Sequence, residues 1–290
     1  MKPHVLKMAH LPGTSFDVRR DLTPLNNRWH CHKEVELIYI ARGSGTLLIG
    51  DHIRNFTDGT ICLIGANVPH YWRFDDSFFE EDMPIDVIAI HFQEAFWGRQ
   101  FLDLPENNSI RDLLKRAARG LLIHGRTRAL IHSFHYLQEI NGPYRIISLV
   151  TLLSKIAGWA EVTSLASEAP SPAPGRVEER RINDVYEYTM KHFRRKIHLS
   201  EIAGVANVSP NSFCRYFKLR TRKTYSRFVT ELRIGYVCKL LVETDSSVKL
   251  LCYESGFNNF TSFHKCFKQI TGMSPLVYQK ERRSRTTLSH

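Results

Sequence analysis

ESGFNNFTSFHKCFKQITGMSPLVY, residues 254–278, reads as a tight turn followed by a short amphipathic helix. Gly256 supplies the turn, and Phe263, Phe267 and Ile270 fall close to one face of a 3.6-residue repeat. The same unit occurs earlier: FCRYFKLRT from Phe213 and FHKCFKQIT from Phe263 share F-x-(R/K)-x-F-K-x-x-T at an offset of 50 residues. Each copy follows a shorter apolar-periodic segment, LSEIAGVANVS before the first and VKLLCYESGFNN before the second. Two helices joined by a tight turn, twice over, is the pattern of a duplicated helix-turn-helix.

The local chemistry supports both turns. In the first copy Leu199, Ile202 and Ala203 form the apolar stripe, Asn207 tolerates a left-handed turn, Ser209 is an N-cap and Pro210 occupies the first helical position. In the second copy Val248, Leu251 and Cys252 form the stripe. Between the copies, YSRFVTELRIGYVCKLLVE (225–243) reads as one long helix that holds the two units apart.

Charge divides the chain. Residues 1–175 hold 18 Lys and Arg against 19 Asp and Glu, whereas residues 176–290 hold 22 against 10. A basic excess confined to one part points to a polyanion partner. SLASEAPSPAPGRVE, residues 164–178, has a linker's composition. The six cysteines form no Cys-x-x-Cys pair, so they read as reduced, mostly buried thiols rather than a disulfide framework. The N-terminus shows no signal-peptide core, and RIISLVTLLSKIAGWA (145–160) is short for a membrane span and carries Lys155, so a cytoplasmic protein is expected.

IAGVANVSPNSFCRYFK, LRIGYVCKLL and the 254–278 stretch together resemble the AraC/XylS family of transcription regulators over roughly residues 180–280. Arg222 departs from the pattern, standing where a helix-ending glycine is usual, and Cys252 replaces a usual alanine. The resemblance implies two recognition helices in successive major grooves. It makes Asn211, Ser212 and Arg215 in the first helix, and Asn259, Phe260, Thr261, His264 and Lys265 in the second, the base-reading set. Arg215 suits guanine, an asparagine adenine, and Phe260 a thymine methyl. Lys218, Lys268, Arg222, Lys223 and Arg233 read as phosphate contacts, which position without specifying.

The N-terminal part carries RWHCHKEVELIYIARGSGTLLIGD, residues 28–51. Read as a strand of period two, it puts His30, His32, Glu34 and Glu36 on one face. The spacing His-x-His-x3-Glu-x6-Gly is similar to the first cupin motif, and DGTICLIGANVPHYW (58–72) resembles the return strands of that barrel, bringing His70 to the same interior. Three imidazoles and a carboxylate suit Fe, Mn, Zn or Ni, so the set allows a divalent metal without requiring one. Trp29, Tyr39 and Trp72, with the His and Glu side chains, read as the lining of an effector pocket for a sugar or an aromatic acid. Residues 106–163 read as helices, the first capped by Ser109 with Asp112; the resemblance implies that they supply a dimer contact.

The expected architecture is α+β and multidomain. A cupin-like effector-binding barrel spans 1–105, a helical dimerisation segment 106–163, a linker 164–178 and an all-α double helix-turn-helix 179–285. The expected function is a ligand-responsive, DNA-binding transcription regulator that is not an enzyme. Its partners would be double-stranded DNA, a small-molecule effector of sugar type, a second copy of the chain and RNA polymerase, with no membrane. Two alternatives are a cupin metalloenzyme fused to a DNA-binding domain, and a regulator whose barrel has lost its ligand and serves only in assembly.

Overall fold

The computed structural model describes residues 14–24, 28–80, 83–98, 100–167 and 176–287, with side chains given only between 180 and 284 in the last stretch. The chain forms two compact units, residues 1–179 and 180–290.

In the first unit the strands are β1 (Phe16–Asp21), β2 (Val35–Arg42), β3 (Gly45–Ile49), β4 (His52–Phe56), β5 (Thr60–Ile64), β6 (His70–Phe74) and, after a single helical turn α1 (Ser77–Glu80), β7 (Asp86–Phe92). There follow α2 (Asn108–Ala117), β8 (Leu121–Ile123), α3 (Arg128–Glu139), α4 (Pro143–Ala157) and β9 (Val162–Ser164). The strands pair as two sheets, β1-β7-β2-β5-β8-β9 and β4-β3-β6, rather than as one closed hydrogen-bonded ring. All named pairs are antiparallel.

The apolar run in β2 is explained by burial of both its faces. Ile38 and Ile40 join Cys62, Val87 and Ala89 against Leu47, Phe56, Trp72 and Phe74 of the three-stranded sheet. Leu37 and Tyr39 point the other way, with Ile61, Leu63, Ile88 and Ile90, onto Leu113, Phe134, Leu152 and Ile156 of the helices. The six-stranded sheet is thus the middle layer of three.

Several sequence expectations change here. His30 and His32 are not in β2, which starts at Val35; bends at Lys33 and Glu34 separate them from it, and His30 instead bridges to His70. Ser109 lies inside α2, whose N-cap is Asn107 with no side-chain cap bond. Segment 106–163 contributes strands as well as helices. Of the expected linker, residues 168–175 lie outside the described residues. Residues 164–167 are tied to the first unit: Leu165 N–H donates to Gly120 O, Ala166 N–H to Arg119 O, and the Ser167 hydroxyl to Asp51.

The second unit is helical: α5 (Arg176–His192), α6 (Leu199–Val205), α7 (Pro210–Thr221), α8 (Tyr225–Glu243), α9 (Val248–Glu254), α10 (Phe260–Thr271) and α11 (Pro275–Thr287). α6–α7 and α9–α10 are the two helix-turn-helix copies. Ser209 Oγ caps α7 by accepting from Ser212 N–H at 3.3 Å, and Asn259 Oδ1 caps α10 from Ser262 N–H at 2.7 Å. Asn207 and Arg222 are left-handed at φ 52° and 58°. Arg222 ends α7 as Gly272 ends α10, donating its N–H to Lys218 O at 2.8 Å. Gly256 is obligatory in the second turn, at φ 90° and with the Arg194 carbonyl oxygen 2.5 Å from where a Cβ would stand. Phe213, Phe217, Phe263 and Phe267 are fully buried, as their spacing requires, whereas Leu199 is 41% exposed and outside the stripe assigned to it.

Candidate functional site

The first unit encloses a polar centre in an otherwise apolar interior. Glu36 projects from β2 into the gap between the sheets and is 4% exposed. Its Oε2 lies 3.1 Å from His32 Nε2, 3.2 Å from His70 Nε2 and 3.3 Å from His91 Nε2, and its Oε1 accepts from Trp72 Nε1–H at 3.1 Å. His30 completes the group: ligand atoms of His30, His32, Glu36 and His70 all lie within 4.8 Å of one another. The other ring nitrogen of each of these three histidines faces a backbone carbonyl: Arg28 O at 2.6 Å, Glu34 O at 2.8 Å and Val68 O at 2.8 Å. A carbonyl only accepts, so Nδ1 of each ring carries a proton and Nε2 is the ring atom turned inward.

Electrostatics follow from that crowding. Burial, with the neighbouring His70, pushes His30 down to about 3. Burial also opposes charge on His32, yet the Glu36 carboxylate outweighs it and raises His32 above its ordinary value. Desolvation works against the Glu36 carboxylate too, but His70, His32 and His91 together hold it well below the usual range. Four nitrogens and a carboxylate sharing one enclosed space can be reconciled by shared protons or by a cation.

The expected pocket lining divides. His30, His32, Glu36 and His70 converge, and Trp72 joins them through its indole N–H. Trp29 is buried beside them in sequence, at 7% exposure. Tyr39 is on the opposite face of the sheet, its ring 5.5 Å from Phe134 and edge-on to His135; neighbours along a strand alternate faces, which takes it out of the site. His91 was not foreseen. It is Glu36's direct partner across β2 and β7, and the alternation Val87, Ala89, His91 along DVIAIHF was the available signal.

In the second unit Asn211, Arg215 and Lys218 are exposed on α7, with Ser212 half-buried beside its cap. Thr261, Lys265 and Lys268 are exposed on α10, and His264 is half-buried. A cleft of about 730 Å³ is lined by Lys196, Arg215, Lys218, Thr224, Ser226 and Asn258 among others, and a groove of about 450 Å³ runs by His264, Lys265, Lys268 and Gln269.

Four assigned residues have other employment. Asn259 spends its side-chain oxygen on the α10 cap. Phe260 is half-buried, its ring 4.5 Å from His264 and stacked on Phe263 at 6.0 Å, so it closes the core edge rather than standing free. Arg233 is not a free phosphate contact: its guanidinium donates to Phe193 O at 2.7 Å and Arg195 O at 2.8 Å, just beyond the C-terminal end of α5. Lys223 is likewise paired with Glu231, which also takes Arg227 at 2.7 Å.

Residues 22–137 match the model of an AraC-like ligand binding domain, and residues 202–281 that of a helix-turn-helix domain. The chain is 23% identical over 263 residues to the Melibiose operon regulatory protein of Escherichia coli (strain K12), covering 87% of this chain and 83% of that one. It is 24% identical over 256 residues to the MmsAB operon regulatory protein of Pseudomonas aeruginosa, covering 86% and 76%. It is 23% identical over 253 residues to the HTH-type transcriptional activator RhaS of Mannheimia succiniciproducens, covering 85% and 87%. An effector-binding domain ahead of a helix-turn-helix domain, with regulators as relatives over most of its length, places this chain in the AraC family of DNA-binding transcription regulators.

Proposed function

We propose that the chain is a sequence-specific regulator whose hold on DNA is set by a ligand taken up in the N-terminal unit. The observation that carries this is the pair of capped recognition helices, each presenting unpaired cations, in the part of the chain that holds the whole basic excess. Among the described residues Arg215, Lys218, Lys265 and Lys268 enter no ion pair, so they are available to phosphates and base edges. The relatives are named as regulatory proteins, and we read this chain as a regulator rather than an enzyme. From that work on DNA we read the chain as cytoplasmic; separately, no helix among the described residues is long and apolar enough to cross a membrane.

We extend the reading to three finer points. The two packed sheets serve as the cupin-like effector domain. α2 to α4 offer a homodimer contact, supported by Tyr144 and Ile147, which stand 68% and 56% exposed one turn apart on α4. RNA polymerase is the expected downstream partner. A sugar effector is supported by the melibiose regulator's name; of the aromatic lining proposed for it, Trp72 stands at the centre while Tyr39 faces the helices.

The His and Glu donors also fit a divalent first-row ion. Bonds of about 2.0–2.1 Å put neighbouring ligands about 3.0–3.4 Å apart, and the Nε2 to Oε2 separations of 3.1 and 3.2 Å for His32 and His70 fall in that range. His30, His32, His70 and Glu36 would hold it, and the ion would neutralise the carboxylate and tie the lone pairs together.

The test of the regulator reading is a titration of the full chain with duplex DNA. Affinity should fall steeply between 50 and 200 mM salt, as counterion release demands; a flat response removes the DNA assignment.

A further inference from the structure

We infer that the ion is the signal: the N-terminal unit senses a divalent first-row transition metal through Nε2 of His30, His32 and His70 and a carboxylate oxygen of Glu36, with His91 outside that set as a positioning residue. This deepens the proposed function and rests on it for the coupling to DNA, though not for the binding of the ion.

Three observations carry it. The centre is closed: His30, His32, Glu36, His70 and Trp72 are 7%, 1%, 4%, 0% and 2% exposed, and Ile38, Ile64 and Trp72 help fill the space between the sheets. An organic effector would have to displace side chains there, whereas an ion needs only the gap between ligand atoms. The donor set is rich in imidazole, which suits Zn, Ni, Cu and Fe better than Mg or Ca. The rings are already fixed from outside. A ligating histidine characteristically donates its other N–H to a carbonyl or carboxylate, and His30, His32 and His70 each do so to the backbone.

His91 fails that criterion, which separates it from the other three. Its Nδ1 is buried without a partner. Were Nε2 the ligating atom, a buried N–H would be left without an acceptor, the arrangement native proteins avoid. With the proton on Nε2, His91 donates to Glu36 Oε2 at 3.3 Å and only a lone pair is left over. Together with the Trp72 N–H on Oε1, it fixes the carboxylate from behind.

The location explains why occupancy would matter. Glu36 and His91 belong to the six-stranded sheet, His70 and Trp72 to the three-stranded one, and His30 and His32 to the bent segment before β2. His30 and His70 are joined by two backbone hydrogen bonds of 3.0 and 2.9 Å, forming an isolated bridge. An ion bound to all three pieces cross-links the layers at this end. It favours the arrangement in which the three pieces meet, by its differential affinity for that state.

The experiment uses the full chain, stripped with chelator and dialysed against Zn²⁺, Ni²⁺, Fe²⁺ or Mn²⁺ in turn. Bound metal per chain, melting temperature and affinity for a selected DNA duplex are measured on each sample. One ion per chain is expected, with a raised melting temperature and a DNA affinity changed at least tenfold. His32→Ala and His70→Ala should lose the ion, whereas His91→Gln should keep one per chain with affinity weakened about tenfold. Failure of the unaltered chain to take up any of the four ions overturns the site whether or not the variants fold. Loss of the ion in a folded His91→Gln chain overturns the division between ligands and positioning residue. Sequence-selective DNA binding that is unmoved by a bound ion overturns the sensing role alone, while absence of selective binding under every condition overturns the regulator reading instead.

Discussion

His91 Nε2 lies 3.3 Å from Glu36 Oε2, and the two residues are direct partners across the β2 and β7 pair, 55 positions apart in the chain. Their meeting is a matter of register: a slip of one residue would turn His91 into the helical layer and leave Glu36 in an apolar gap without it. The centre is therefore built by sheet pairing as much as by the His-x-His spacing that announces it.

Glu36→Gln tests how far the centre is held together by its carboxylate. The amide keeps the shape but loses the charge, and its NH2 group faces one of the two donors, Trp72 Nε1–H or His91 Nε2–H, that the carboxylate accepts from. A loss of about 1 to 3 kcal/mol in denaturant unfolding is expected for leaving buried partners unmatched. Stability equal to wild type would mean that the histidines do not depend on Glu36.

The end of α7 gives a prediction of the opposite sign. Arg222 sits at φ 58°, a conformation that costs an L-residue about 1–2 kcal/mol and glycine almost nothing. Arg222→Gly should stabilise the chain, by somewhat less than that because glycine also gains freedom when unfolded. Gly256→Ala should destabilise it by more than Gly272→Ala, since only the former puts a methyl against the Arg194 carbonyl. Thermal unfolding of the three variants checks the order.

Arg233→Ala separates structure from electrostatics. Its removal leaves Phe193 O and Arg195 O without their guanidinium donor, so a loss of about 1–3 kcal/mol is expected, with no change in the salt slope of DNA binding. Unchanged stability with a slope reduced by about one would return Arg233 to the phosphate-contacting set.

Lys268→Ala is the converse case. Exposed on α10 and outside every ion pair described, it should weaken binding to all sequences alike and lower the salt slope by about one, leaving melting temperature unmoved. A change confined to one base-pair preference would make it a reader.

What was legible in the sequence follows from the range of the interactions. The helix-turn-helix copies are written locally, in Ser209 and Pro210, in Asn207 and Gly256, and in the phenylalanines four residues apart. His30, His32, Glu36 and His70 were legible as a set, but the face of Tyr39 and the arrival of His91 depend on which strand pairs with which. β8 and β9, three residues each, are too short for any periodicity to show. Arg233 looked like one more surface cation because its partners are carbonyls, which no side-chain pattern reveals.

The most direct test of the central claim is selection of duplexes from a random library by the full chain, run in parallel with Arg215→Ala. Two enriched segments are expected, about 10 base pairs apart as two recognition helices on one face of DNA demand, and Arg215→Ala should relax one position in one segment at a cost of about 1–3 kcal/mol. Enrichment of no sequence, or an identical pattern from the variant, would contradict the account.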